Sequence, residues 1–120
     1  DNNTLALLFS NGDGDKKQMN QLAFYNTNGQ PARTIDLQLP DHKTEDMDTG
    51  ELALSPDGKS MVIAFMKDIF FMTTKGKVLK HIKQEEKNVL VQPVFTPDSS
   101  QVAFKRIKEI KKSYFSILIV

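Results

Sequence analysis

The sequence predicts an all-β chain of antiparallel hairpins. Three observations carry that expectation. Apolar runs are short and rich in β-branched and aromatic residues, clusters of Asn, Asp, Gly and Pro separate them, and one strand–turn–strand unit recurs 41 residues later. The chain has 120 residues, enough for one compact domain. Apolar residues make up 39% and charged residues 26%, the balance of a globular domain, and the net charge of +1 supplies no global field for nucleic acid or membrane. The absence of cysteine excludes disulfides, thiolate metal sites and cysteine nucleophiles. No apolar run approaches the roughly 18–20 residues that span a bilayer as a helix. The chain opens at Asp1 without an initiator methionine, from which we expect an upstream segment, whether signal peptide, tag or domain.

Ten strands are expected, at residues 4–10, 21–27, 32–39, 51–55, 60–66, 68–74, 77–83, 89–96, 101–107 and 114–120. The turns between them are NGDGD (11–15), NTNG (26–29), SPDG (55–58), TTKG (73–76) and TPDSS (96–100). Segments 78–90 and 104–118 also space apolar residues three or four apart, which leaves helix as their alternative. The repeat favours hairpins. LALSPDGKSMVI (52–63) aligns with PVFTPDSSQVAF (93–104), pairing Ser55 with Thr96, Pro56 with Pro97 and Asp57 with Asp98. LAFYNTNGQPARTI (22–35) aligns with IFFMTTKGKVLKHI (69–82), pairing Phe24 with Phe71, Thr27 with Thr74 and Gly29 with Gly76. Four strands in about 40–45 residues is the period of a propeller blade.

On these residues the chain resembles the TolB-like β-propellers, relatives of WD-repeat propellers. QPVFTPDSSQVAF, ALSPDGKSMVI and DIFFMTTKGKVLKHI follow that family's order: Ser-Pro-Asp-Gly, an apolar strand, an aromatic-rich strand, a glycine turn and a last strand. The likeness covers Glu51 to Phe104 well and Leu22 to Ile35 fairly. It departs at Ser99, where glycine is usual, in the lack of tryptophan, and in the long acidic segment Pro40 to Gly50. Residues 1–39 then form a partial blade, 51–88 a full blade and 89–120 a second partial blade. That is about two and a half blades, whereas a closed propeller needs about four to eight. The expected architecture is therefore an incomplete propeller, completed by more chain, another copy or another protein, with an open sheet or sandwich as the alternative.

ALSPDGKS (53–60) ends like a phosphate-binding loop, but the chemistry argues against one. Such a loop offers consecutive N–H groups and runs into a helix. Here Pro56 has no N–H, and MVIAFM reads as a strand; the aligned copy has lost the lysine. A tight turn is expected. Asn11, Asp13 and Asp15 alternate like calcium ligands, yet Lys16 and Leu22 stand where a calcium loop needs glycine and glutamate, so a polar hairpin loop is favoured. Lys105, Arg106, Lys108, Lys111 and Lys112 form a basic run that suits an acidic protein partner; nucleic acid is disfavoured for want of interleaved aromatics. DHKTEDMDTGE (41–51) carries five acids and is expected to be a loop between blades. His81 is expected on a solvated face. Neither it nor His42 belongs to a hydrolase signature, so no catalytic, metal or cofactor residue is assigned. Phenylalanines 24, 65, 70, 71, 95, 104 and 115 are expected in the sheet core. The family resemblance implies a non-enzymatic module that binds other proteins in the bacterial cell envelope, outside the cytoplasm. Its alternative is the non-catalytic propeller of a prolyl-oligopeptidase-type peptidase.

Overall fold

The structure, a computed structural model, describes residues 4–10, 19–39, 50–85, 88–108 and 112–119, with 4–10, 19–20, 108 and 112–119 described by backbone alone. Ten strands run β1 (Thr4–Ser10), β2 (Met19–Asn26), β3 (Pro31–Asp36), β4 (Glu51–Leu54), β5 (Ser60–Ala64), β6 (Asp68–Thr73), β7 (Val78–Lys83), β8 (Asn88–Phe95), β9 (Gln101–Lys108) and β10 (Lys112–Ile119). They make three antiparallel sheets in sequence order: β1-β2-β3, β4-β5-β6-β7 and β8-β9-β10. The fold class is all-β, as the hairpin pattern predicts. The segments with helical spacing, 78–90 and 104–118, contribute strands β7, β8, β9 and β10 instead. Among the described residues no helix is long and apolar enough to cross a membrane.

The sheets stack face to face, and the middle one is buried on both sides. In β5 and β6, alternation sends Met61, Ile63, Phe70 and Met72 towards the first sheet, where they meet Leu22 and Phe24 of β2. The intervening residues Val62, Ala64, Ile69 and Phe71 turn the other way and meet Phe95, Val102 and Phe104 of the third sheet. Phe65 and Phe70 pack edge to face with centroids 6.2 Å apart, and Phe71 and Phe104 do the same at 6.3 Å. Six of the seven predicted core phenylalanines are buried; Phe115 lies among the residues described by backbone alone. Inner strands converge, with β4 approaching β8 on one side and β1 on the other. The stack therefore fans out from its inner strands.

The two repeats correspond to two kinds of corner. Asn26–Gly29 and Thr73–Gly76 are the same hairpin: each glycine N–H donates to the first residue's carbonyl, at 2.9 and 3.0 Å. Each glycine has positive φ, +85° and +98°, and each pairing shifts register next to the turn. That is a tight turn closed by a glycine bulge. The third sheet contains one irregularity of its own. Pro93 lacks the N–H a ladder needs, and it sits on edge strand β8 where the pairing with β9 breaks between Val91 and Val94. Gln92 absorbs the kink at φ 53°.

Candidate functional site

ALSPDGKS is a corner. Pro56 and Asp57 occupy its middle, the Gly58 N–H donates to the Ser55 carbonyl at 2.9 Å, and Gly58 has φ 74°. Side chains lock it. The Ser55 hydroxyl donates to Asp57 Oδ1 at 2.6 Å, the Lys59 amide donates to the same oxygen at 3.0 Å, and the Ser60 amide donates to Ser55 Oγ at 2.9 Å. The twin corner repeats this almost atom for atom. Thr96 Oγ1 donates to Asp98 Oδ1 at 2.6 Å, the Ser100 amide to Asp98 Oδ1 at 3.1 Å, and the Gln101 amide to Thr96 Oγ1 at 3.1 Å. Ser100 Oγ adds a fourth bond at 2.7 Å.

These donors stabilise the carboxylate form. The Ser55 hydroxyl and the Lys59 amide hold Asp57 below the usual carboxylate range. Thr96 and Ser100 lower Asp98 from 3.8 to about 2. A depressed folded-state value means stability present above the unfolded value and lost as pH falls. Relative to an Asp98→Asn variant, the parent is expected to hold its advantage above pH 3.8 and to lose it as pH falls towards about 2. Chemical denaturation of both proteins across that range checks this. An advantage unchanged at the acid end would contradict it.

Ser99 explains the missing glycine of the second corner. It holds φ 64°, a conformation that costs a residue with a Cβ. In return its Oγ accepts the Asp57 amide N–H at 3.1 Å, which ties the corner of the middle sheet to that of the third. Ser99→Ala keeps the backbone strain and loses the bond, whereas Ser99→Gly loses the bond but relieves the strain. Ser99→Ala is therefore expected to be the less stable of the two by about 1 kcal/mol, measured by urea unfolding. Equal stabilities would show that the strain is negligible.

Beside the first of these corners lies a cleft of about 290 Å³ between the first two sheets. Phe24, Ala32 and Arg33 line it from β2 and β3; Leu54, Ser55, Asp57, Gly58 and Thr74 line it from the middle sheet. The β2–β3 register pairs Phe24 with Arg33, and the Arg33 guanidinium lies 4.0 Å over the centre of the buried Phe24 ring. Thr74 fixes the opposite wall: its hydroxyl donates to the Gly58 carbonyl at 2.9 Å and its amide to the Lys59 carbonyl at 3.1 Å. A stacked guanidinium on one wall and an ionised carboxylate on the other face one opening. That arrangement suits a ligand bearing both an acceptor and a donor.

Two further polar clusters are structural. His81 departs from the expectation of a solvated face. Its ring stacks on Phe70 at 4.3 Å and 8°, and its Nε2 lies 2.6 Å from Oδ1 of the buried Asp68. The reason is register: His81 pairs directly with Phe70 across β6 and β7, so it shares the face that packs on the first sheet. Gln84 joins the second and third sheets. Its Nε2 donates to the Phe65 carbonyl at 2.8 Å and the Leu90 carbonyl at 3.0 Å, while its Oε1 accepts the Leu90 amide at 2.6 Å.

Lys105 and Arg106 are neighbours on β9, so alternation turns them to opposite faces, and both are half-buried. Among the described residues Arg106 Nε is buried without a hydrogen-bond partner. Lys108 closes β9 and Lys112 opens β10, paired backbone to backbone. Lys111, the calcium candidates Asn11, Asp13 and Asp15, and His42 lie outside the described residues. Among the described residues no three His, Asp or Glu side chains come together to hold a metal ion. The cleft, Gln84 and the Asp68–His81 pair were missed by sequence reasoning. Arg33 was accessible in principle, since the NTNG turn sets the register that places it opposite Phe24.

No family model matches the chain, and no curated protein matches it. Solved structures do. Hydrazine synthase of Kuenenia stuttgartiensis aligns with 98% of this chain at a TM-score of 0.61 and 17% identity. A protein of unknown function from Bacteroides caccae aligns with 96% at 0.55 and 15%. The chain spans 36% of the length of each. At these identities the likeness concerns the fold alone, and together with the fan of antiparallel sheets it supports a propeller-like arrangement.

Proposed function

We propose that the chain is a non-enzymatic propeller module that binds a protein partner through the face formed by its Ser-Pro-Asp-Gly corners and glycine hairpins. The observation that carries this reading is the cleft walled by Arg33 and Asp57. It sits on corners that are hydrogen-bonded internally and to each other, so a partner meets a preorganised surface with little ordering to do. The TolB-like resemblance supports an extracytoplasmic, cell-envelope setting. Because the chain spans about a third of its structural neighbours, a second reading is a non-catalytic section of a larger enzyme, as in prolyl-oligopeptidase-type peptidases.

A photo-crosslinking residue at Ala32, on the cleft, and another at the exposed Leu79, on outer strand β7, test the binding reading in the native organism. A discrete protein adduct at Ala32, absent at Leu79, is the expected result. Adducts at neither position, or equally at both, would remove the assignment of this face. Osmotic-shock fractionation tests the compartment, and recovery of the chain with cytosolic markers would refute the envelope setting. The full-length gene product separates the two readings: a downstream α/β-hydrolase domain favours the peptidase.

A further inference from the structure

We propose that the cleft between the first two sheets receives a carboxylate of an extended peptide segment, held by Arg33, with a neighbouring N–H donor of that segment held by Asp57. The inference rests on the binding reading above and names the chemistry of its partner. The Arg33 guanidinium lies over the Phe24 ring at 4.0 Å, and no carboxylate pairs with it among the described residues. A guanidinium resting on an aromatic face keeps its N–H donors, which lie in its own plane, for a planar oxyanion, and a carboxylate accepts two of them in parallel. The arginine's apolar stem and Ala32 continue the wall, so the anion meets a site already shaped.

Asp57 narrows the choice of ligand. Its Oδ1 is occupied by Ser55 and Lys59, which leaves Oδ2 to accept a further hydrogen bond. Its charge repels a second anion and disfavours a phosphate dianion more than a singly charged carboxylate. It accepts an amide N–H or an ammonium group. A peptide supplies both partners within a few ångströms: an acidic side chain or a terminal carboxylate, and the amide beside it. The volume of about 290 Å³ takes two or three residues of an extended chain.

Random peptides displayed on phage, selected on the immobilised chain and in parallel on its Arg33→Gln variant, test the proposal. One library presents free N-termini and the other free C-termini. On the parent we expect peptides enriched in Asp or Glu, or with a required free C-terminus, and for an enriched synthetic peptide a loss of affinity of about 10-fold on Arg33→Gln. Enrichment in both libraries assigns an acidic side chain; enrichment confined to the free C-terminal library assigns the chain-terminal carboxylate. Arg33→Lys, which keeps the charge and stem but not the fork, is expected to bind between the two, and it supplies the comparison if Arg33→Gln does not fold. Enriched peptides without an acid, or bound equally by all three proteins, would overturn the carboxylate assignment and leave peptide binding standing. Failure to enrich any peptide would overturn both.

Discussion

Replacing Phe71 with alanine is expected to destabilise the chain by about 3–5 kcal/mol. Phe71 is 1% exposed at the centre of β6, and its ring meets Phe104 edge to face across the interface of the second and third sheets. Truncation deletes a large apolar side chain between two sheets whose positions are held by their hydrogen-bond ladders, so the space closes only in part. A domain of this size is stable by about 5–15 kcal/mol in total, so the loss is a large share of what holds it folded. Urea unfolding monitored by circular dichroism measures it. Phe71→Leu keeps most of the volume and is expected to cost about half as much or less. A loss below about 1 kcal/mol for Phe71→Ala would mean that the third sheet is not packed on the second in solution.

Gln84→Ala is expected to cost about 2–3 kcal/mol without touching the apolar core. One side-chain amide satisfies the Phe65 carbonyl in the middle sheet and both polar groups of Leu90 in the third. Removing it takes a hydrogen bond from each of three backbone groups at a part-buried junction. Gln84→Glu separates this account from simple loss of volume. The glutamate can still accept the Leu90 N–H, but it places a second oxygen against two carbonyls. It is expected to be at least as damaging as alanine at neutral pH and to recover in part when protonation restores one donor. Hydrogen exchange at the Leu90 amide reads the same junction locally, with protection falling in Gln84→Ala, which removes its acceptor. If Gln84→Glu matched the parent at neutral pH, the assigned donor and acceptor roles would be wrong.

Much of the architecture could be read in the sequence because turn chemistry is local. Pro56-Asp57-Gly58 and Pro97-Asp98-Ser99 specify corners whatever surrounds them, and Asn28-Gly29 and Lys75-Gly76 specify hairpins. Where repeat and helical spacing disagreed, over 78–90 and 104–118, the repeat prevailed, and the stack of sheets gives Ile82, Leu90 and Phe104 a shared apolar cluster. The site was less visible for the opposite reason. Arg33 and Asp57 are 24 positions apart and come together through the stacking of two sheets, which no short-range pattern records. His81 looked solvated because its neighbours Lys80 and Lys83 are; its burial follows from pairing with Phe70. Within the basic run the pleat turns the adjacent Lys105 and Arg106 to opposite faces of β9.

The middle sheet has a consequence for folding fidelity. Strands with one apolar face police their own alignment, since a slip of one residue would drag polar groups into the core. β5 and β6 have no such safeguard: Met61 to Phe65 and Ile69 to Met72 are buried without interruption, and a slipped pairing would still bury greasy side chains on both sides. Alignment must then come from the ends, from Ser55, Asp57, Gly58 and Thr74, whose bonds cannot be made one residue out of step. Damage to those corners should therefore show itself as two slowly exchanging forms, visible as doubled amide resonances from β5 and β6, before it shows itself as a lower melting temperature.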